Sequence, residues 1–211
     1  MFHKLKTVAQ MTRTMRRGEH VGDVPVLKMT LFMDQEAPSR HTDQALAMHD
    51  INFSHIDPTQ LVRLPQGTFG HAYGRFMAFH QLQPFNFSSA IKPLFEKYPI
   101  TIRYVRVHDM IHTLLDFDTS LAGELGVYSF VGQQHYTPTL DWAARVADRV
   151  AVLPFWQRAR LKAAQARGKA LAKDAAVLIA APLETLFEQP LDEVRRAFIP
   201  CFARVSLPTA A

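Results

Sequence analysis

The chain has 211 residues and a mass of 23.9 kDa, with 48% hydrophobic and 20% charged residues and a mean hydropathy of −0.06. These values exclude a disordered chain or a fibrous repeat and leave enough apolar surface for a sizeable core. Lys and Arg outnumber Asp and Glu by 24 to 19, a net charge of +5, and the lone Cys201 excludes a disulfide framework or a multi-cysteine zinc ribbon and suits a reducing compartment.

Residues 1–17 place Phe2, Leu5, Val8 or Ala9, and Met15 at helical spacing, which predicts a short amphipathic helix. Its basic residues, Lys4, Lys6, Arg13, Arg16 and Arg17, all precede the first acid, Glu19. Such a segment fits an anionic membrane surface, a mitochondrial presequence or an ordinary solvated face. It has no secretory h-region, which argues against export. Residues 18–56 are mixed: a helix is expected over 41–49, strand character over 24–32, and loop elsewhere. The turn at 64–68 ends in Thr68, an N-cap for a helix carrying Phe69, Tyr73, Phe76, Met77 and His80. Ser88 or Ser89 caps another helix, and Pro99 opens one that runs to about Leu115. Thr119 is the expected cap of a helix over 120–134, and Thr137 caps the next, with Pro138 at its first position. Helices near 155–173 and 174–188 follow, then one over 191–198 closed by Pro200.

The fold expectation is all-α: a single-domain multi-helix bundle, with 1–57 a variable segment of helix and loops and 58–211 the helical domain. No apolar run reaches the roughly 18 residues of a membrane span, so the chain is expected to be soluble or to lie on a membrane surface. A second basic stretch over 158–173 begins beside Phe155 and Trp156, which is the pattern of a headgroup contact. Its aromatics do not interleave with the arginines as stacking platforms, so nucleic acid is not an expected partner.

The informative stretch is Val107-His108-Asp109-Met110-Ile111-His112, followed by Glu124. On a helix His108 and His112 stand one turn apart on one face, and Asp109 borders that face. Glu124 shares a face of the next helix with Leu121, Leu125 and Tyr128, where a carboxylate is costly unless paired or metal-bound. Two helices joined by so short a loop pack antiparallel, which turns Glu124 toward the first. The cluster can therefore hold a divalent ion between two antiparallel helices. The other reading is two partly buried histidines hydrogen-bonded to carboxylates. It is not the His-Glu-x-x-His pattern of metalloproteases, because its second residue is Asp.

Several further motifs fall in step. Leu64-Pro65-Gln66-Gly67-Thr68-Phe69-Gly70 with Tyr73 and Phe76 comes first. Tyr104-x-x-Val107-His108-Asp109-Met110-Ile111-His112-Thr113-Leu114-Leu115 follows, then eleven residues to Glu124. Gly123, Gln134, Pro138, Gly168-Lys169-Ala170, Glu184, Phe187, Pro190-Leu191 and Arg195 complete the set. Over residues 58–199 this pattern resembles the coenzyme Q (ubiquinone) biosynthesis protein 4 family. Asp116 stands where that family usually has Gly, and there it is expected to act as the left-handed residue of a helix C-cap. Leu186-Phe187 replaces the family's tryptophan, and residues 1–57 offer no motif to align.

The resemblance implies an α-helical protein of ubiquinone biosynthesis with a divalent metal at His108, Asp109, His112 and Glu124. Zinc is the first expectation, with iron and magnesium as alternatives. It further implies action in C1 decarboxylation of a 4-hydroxy-3-methoxy-5-polyprenylbenzoate, a carboxy-lyase activity. A hydroxyl para to the carboxylate can push electron density to C1, so protonation there and loss of CO₂ is feasible. Tyr104, one turn before His108, is the candidate proton donor, with a core tyrosine as the other reading. A tunnel for the prenyl tail is expected along Phe69, Tyr73, Phe76, Met77, Leu121, Leu125 and Tyr128. Expected partners are the polyprenylated substrate, other ubiquinone biosynthesis enzymes and a membrane surface, and a homo-oligomer is compatible with the pattern. The location would be the cytoplasm or the inner-membrane face of a bacterium, or the matrix face of the mitochondrial inner membrane. The competing class is a non-catalytic prenyl-lipid-binding scaffold whose metal is structural.

Overall fold

A computed structural model describes residues 2–47, 56–150 and 155–205, and the side chains of all of these except 2–5, 47, 143 and 147–150. In chain order the helices are α1 (Phe2–Arg17), α2 (Asp23–Met29), α3 (Arg40–Ala47), α4 (Pro58–Leu61), α5 (Phe69–Phe79) and α6 (Pro99–Leu115). They continue with α7 (Leu121–Gln133), α8 (Pro138–Val150), α9 (Arg158–Ala172) and α10 (Leu191–Phe198). Short 3₁₀ turns occupy Ser89–Leu94, Phe155–Gln157, Leu178–Ala180, Leu183–Thr185 and Phe202–Arg204. Among the described residues there is no strand, only an isolated bridge between Thr68 and Pro190. The all-α expectation holds. No helix among the described residues is long and apolar enough to cross a membrane.

Most helix boundaries follow the caps. The Thr68 hydroxyl accepts from His71 N, and the Thr137 hydroxyl from Leu140 N. Three expectations change, and a fourth holds as far as the described residues reach. The segment over 24–32 forms α2 rather than a strand, because Val26 and Leu27 are neighbours that are both buried. A half-buried strand would send them to opposite faces. The helix expected over 41–49 is α3, and its last two positions lie outside the described residues. The cap of α7 is Ser120, whose hydroxyl accepts from Gly123 N, not Thr119, whose hydroxyl pairs with His80 Nδ1 at 2.9 Å. The helix expected over 174–188 is replaced by two 3₁₀ turns around Pro182. Proline has no N–H to donate, and it holds the preceding Ala181 extended at ψ 139°.

The described structure divides into two compact units, one of Met1–Ala37 and Gln83–His108, the other of Pro38–Leu82 and Asp109–Ala211. The boundary falls within α6. In the first unit Val26, Leu27, Ile91, Tyr98 and Ile102 form the core, covered by Met11, Met33, Phe87 and Phe95. Two acids tie it together. Asp23 accepts from the Ser88 backbone N at 2.9 Å and its hydroxyl at 2.6 Å. Buried Glu36 accepts from the backbone N–H groups of Ile100 and Thr101 and from the Thr101 hydroxyl, satisfying donors that the first turn of α6 would otherwise leave open. Burial pushes the Glu36 carboxyl up, and those hydrogen bonds only partly oppose it.

In the second unit α7 crosses α9 at Gly126 and Gly168, where a side chain on Gly168 would strike the Gly126 carbonyl. The ring of Phe117 fills the space left by the missing side chain of Gly126. Phe187 packs against Phe69 and Tyr73, with ring centroids 5.6 and 5.8 Å apart. The C-terminus of α6 ends in a left-handed residue, Asp116 at φ 56°, as expected of its position. Two arginines meet the carbonyls that this end leaves open. Arg195 donates to Thr113 O and Leu114 O at 3.1 and 3.0 Å, and Arg167 to Leu115 O and Asp116 O at 2.7 and 3.2 Å.

Candidate metal centre

His108 and His112 are one turn apart on α6, so the helix itself fixes their spacing, and Glu124 stands on the first turn of α7. Each of the three offers a ligand atom, and these atoms all lie within 4.8 Å of one another. The two histidines are oriented by different partners. His112 is fully buried, and its Nδ1 donates to the Phe117 carbonyl at 3.2 Å. A carbonyl can only accept, so in the neutral ring Nδ1 carries the proton and Nε2 keeps its lone pair. That Nε2 lies 3.5 Å from Glu124 Oε1. The His108 Nδ1 pairs with the Tyr104 hydroxyl at 3.0 Å, which leaves Nε2 as its ligand atom. Tyr104, the candidate proton donor, thus stands one turn before His108 with its hydroxyl against that imidazole.

Burial alone would lower the pKa of His112. The hydrogen bond and charge of Glu124, the Phe117 carbonyl and the charge of Asp109 together outweigh it, and the net shift is upward. A buried imidazole drawn toward its charged form by a half-exposed carboxylate is an environment built for positive charge. Two imidazoles with Nδ1 engaged and one carboxylate also fit a borderline divalent cation by donor chemistry. Asp109 is not one of the three grouped residues. It is buried on α6 and acts on His112 through its charge.

Beside His112 the second unit opens a cavity of about 330 Å³, lined by Ala72, Arg75, Phe76, Phe79, His80, His112, Thr113, Asp116, Phe117, Leu191 and Arg195. The Phe76 ring lies between two imidazoles, its centroid 4.6 Å from that of His80 and 5.8 Å from that of His112. Arg195 is engaged by backbone carbonyls, whereas exposed Arg75 makes no hydrogen bond or ion pair among the described residues. Of the residues expected to line a prenyl tunnel, Phe76 lines this cavity. Phe69, Tyr73 and Met77 are buried in the core, Leu121 is 51% exposed, and Leu125 and Tyr128 are half-buried. Sequence reasoning put His80 on the helix but gave it no role, and it missed Arg75. The available signal was helical spacing, which puts Arg75 and His80 on the same face of α5 as Ala72, Phe76 and Phe79.

The comparisons agree with this architecture. The family model for coenzyme Q (ubiquinone) biosynthesis protein Coq4 matches residues 8–199, so it takes in most of the N-terminal segment that the motifs left unaligned. A mitochondrial ubiquinone biosynthesis protein COQ4 homolog of Drosophila sechellia is 32% identical over 149 residues, covering 69% of this chain and 54% of that protein. COQ4 homolog 1, mitochondrial, of Culex quinquefasciatus is 35% identical over 132 residues, covering 51% and 48%. The chain thus spans about half the length of the curated relatives it matches. The crystal structure of a candidate ubiquinone biosynthesis protein from Nostoc punctiforme superposes with a TM-score of 0.62 at 16% identity, over 93% of this chain and 96% of that one, a likeness of fold. From the extent of the family match, this chain belongs to the coenzyme Q (ubiquinone) biosynthesis protein Coq4 family.

Proposed function

We propose that the chain is a metal-dependent enzyme of ubiquinone biosynthesis, acting in C1 decarboxylation of a 4-hydroxy-3-methoxy-5-polyprenylbenzoate, with zinc as the first candidate ion and iron or magnesium as alternatives. The observation that carries this reading is a three-donor group, His108, His112 and Glu124, beside an apolar cavity. A divalent cation bound there supplies positive charge against an anionic group of the substrate. His112 and His108 present Nε2, held by the Phe117 carbonyl and the Tyr104 hydroxyl. Phe76, Phe79 and Phe117 take the aromatic ring and exclude water from it. Arg75 at the rim pairs with the anion as it enters. The proton for C1 is assigned to His80 Nε2, its Nδ1 being engaged by Thr119. Asp109 serves as the fourth ligand or as a second negative charge behind His112. Were the three grouped donors alone to hold the ion, a position would be left for substrate, which favours the enzyme over a closed structural site.

The test uses the purified chain, loaded with zinc, iron or magnesium in turn, and substrate labelled at the carboxylate carbon. Labelled CO₂ is expected with at least one ion and none after chelation. A fully loaded protein that binds prenylated lipid yet releases no CO₂ with any of the three would overturn the enzyme and leave the prenyl-lipid scaffold.

The relatives are named mitochondrial, which supports a mitochondrial location, and we assign the matrix face of the inner membrane because a prenylated substrate must be met at a bilayer. The first unit presents Lys6, Arg13 and Arg17 along a cleft of about 420 Å³, none of them hydrogen-bonded or ion-paired among the described residues. Lys4, Phe2 and Leu5 have side chains outside those described. The second unit exposes Phe155 and Trp156, at 77% and 71%, at the start of basic α9. Each basic residue near an anionic surface contributes about 1 kcal/mol, and salt screens it. Flotation with anionic vesicles should therefore recover the protein at low salt and lose most of it at 1 M. Equal recovery with neutral vesicles would rule out the electrostatic contact.

A further inference from the structure

Arg167 reaches α6 from α9. Its NH2 donates to Leu115 O at 2.7 Å and its NH1 to Asp116 O at 3.2 Å, and its guanidinium carbon lies 4.4 Å from the centroid of the Phe117 ring. The third nitrogen, Nε, is buried and finds no acceptor. An unsatisfied buried N–H is a cost that native proteins rarely keep without a reason. Between the two carbonyls it holds lies Asp116, a non-glycine residue at φ 56°, so Arg167 clasps the one strained turn between α6 and α7. The next residue is Phe117. Its ring is trapped between the guanidinium and Gly126, and its carbonyl receives the proton of His112 Nδ1.

We infer that Arg167 is a positioning residue for His112: by fixing Leu115, Asp116 and the Phe117 ring, it holds the Phe117 carbonyl where it selects the Nδ1–H tautomer and turns Nε2 toward Glu124. This deepens the metal reading and rests on it. Arg195 supplies the control, because it donates to Thr113 and Leu114 of the same helix end while its guanidinium lies over the Phe202 ring, 4.1 Å from the centroid. Both arginines satisfy backbone carbonyls, so loss of either destabilises the fold. Of the two, Arg167 is the one whose guanidinium lies on the ring of Phe117, the residue whose carbonyl meets His112.

The experiment compares parent, Arg167→Lys, Arg167→Met and Arg195→Lys. In the metal-free proteins at alkaline pH, ¹⁵N-detected NMR of the imidazoles reads the His112 tautomer. Competition with a chromogenic chelator reads zinc affinity, and far-ultraviolet circular dichroism checks the fold. Parent and Arg195→Lys should show the single Nδ1–H tautomer and zinc affinities within about threefold of each other. Arg167→Lys keeps the charge but loses the planar fork and the ring contact. It should show mixed tautomers and bind zinc about tenfold more weakly, the usual size of an outer-shell effect. Arg167→Met should go further, and should it fail to fold, the lysine variant still decides. A folded Arg167→Lys with an unchanged tautomer and zinc affinity would overturn the inference, as would Arg195→Lys matching its defects. A parent that takes no zinc while Arg167→Lys still mixes tautomers would sink the metal reading and leave the positioning role standing.

Discussion

His112→Ala should strip the protein of its metal. The parent is expected to copurify with about one divalent ion per chain, and the variant with less than a tenth of that, with the helical spectrum largely kept. His112 is the best oriented of the proposed ligands, fully buried and tied to the Phe117 carbonyl, so a water molecule cannot take its place at little cost. Removing one of three protein donors should weaken affinity by more than about 100-fold, beyond what outer-shell changes do. Glu124→Ala should act in the same direction, and because Glu124 is 44% exposed it tests the site without opening a hole in the core. Unchanged metal content in His108→Ala, His112→Ala and Glu124→Ala alike would place the ion elsewhere.

The same contacts set the pH dependence. Metal and proton compete for His112 Nε2, and the pKa of this ring is raised despite burial, chiefly by Glu124. A raised pKa keeps the proton on the ring to higher pH. Metal should therefore be lost, as pH falls, earlier than an ordinary imidazole would lose it. In Glu124→Gln the charge that opposes burial most is gone, so the titration of His112 in the metal-free protein should move to lower pH. Movement to higher pH would contradict the assigned cause.

The sequence was most legible where chemistry and local geometry coincide. His108 and His112 needed only helical spacing to share a face, and the proline at the start of α6 and the apolar run to Leu115 made that helix easy to read. Thr68 and Thr137 announced their helices because a hydroxyl at that place has one obvious backbone partner. Ser120 and Thr119 were harder. Both can cap α7, and the choice depends on His80, thirty-nine residues away in sequence, which takes the Thr119 hydroxyl. The segment over 24–32 was misleading for a related reason: its valines favour a strand locally, and contacts with Ile91, Tyr98 and Ile102 decide otherwise. Arg75, Arg167 and the cavity beside His112 depend on long-range packing and carry no local pattern at all. Asp109 shows the limit from the other side. Spacing put it on the border of the ligand face, but a helix border leaves open whether a side chain joins its neighbours, and the grouped donors are the other three.

The second large effect is expected at Gly168, where sequence reading noted a motif and the structure supplies its reason. Gly168 and Gly126 let α9 and α7 approach until the backbone of one meets the Cα of the other. Any side chain at Gly168 would run into the carbonyl of Gly126 and the backbone N of Phe130, which are parts of a helix and cannot move as a flexible side chain could. Overpacking of a core typically costs about 1–3 kcal/mol, and a clash with backbone belongs at the upper end or beyond it. Gly168→Val should therefore lose about 3 kcal/mol or more in chemical denaturation. The damage should also reach the metal. Pushing α7 away from α9 shifts Glu124, two residues before Gly126, and loosens the Phe117 ring between Gly126 and Arg167. Gly67→Ala is the useful comparison: Gly67 has open space around its Cα but a φ of 89°, so its cost is backbone strain alone, about 1 kcal/mol. That variant should keep its metal at full stoichiometry. If Gly168→Val is as stable as Gly67→Ala and as fully loaded, the close crossing of α7 and α9 is not what holds Glu124 in place.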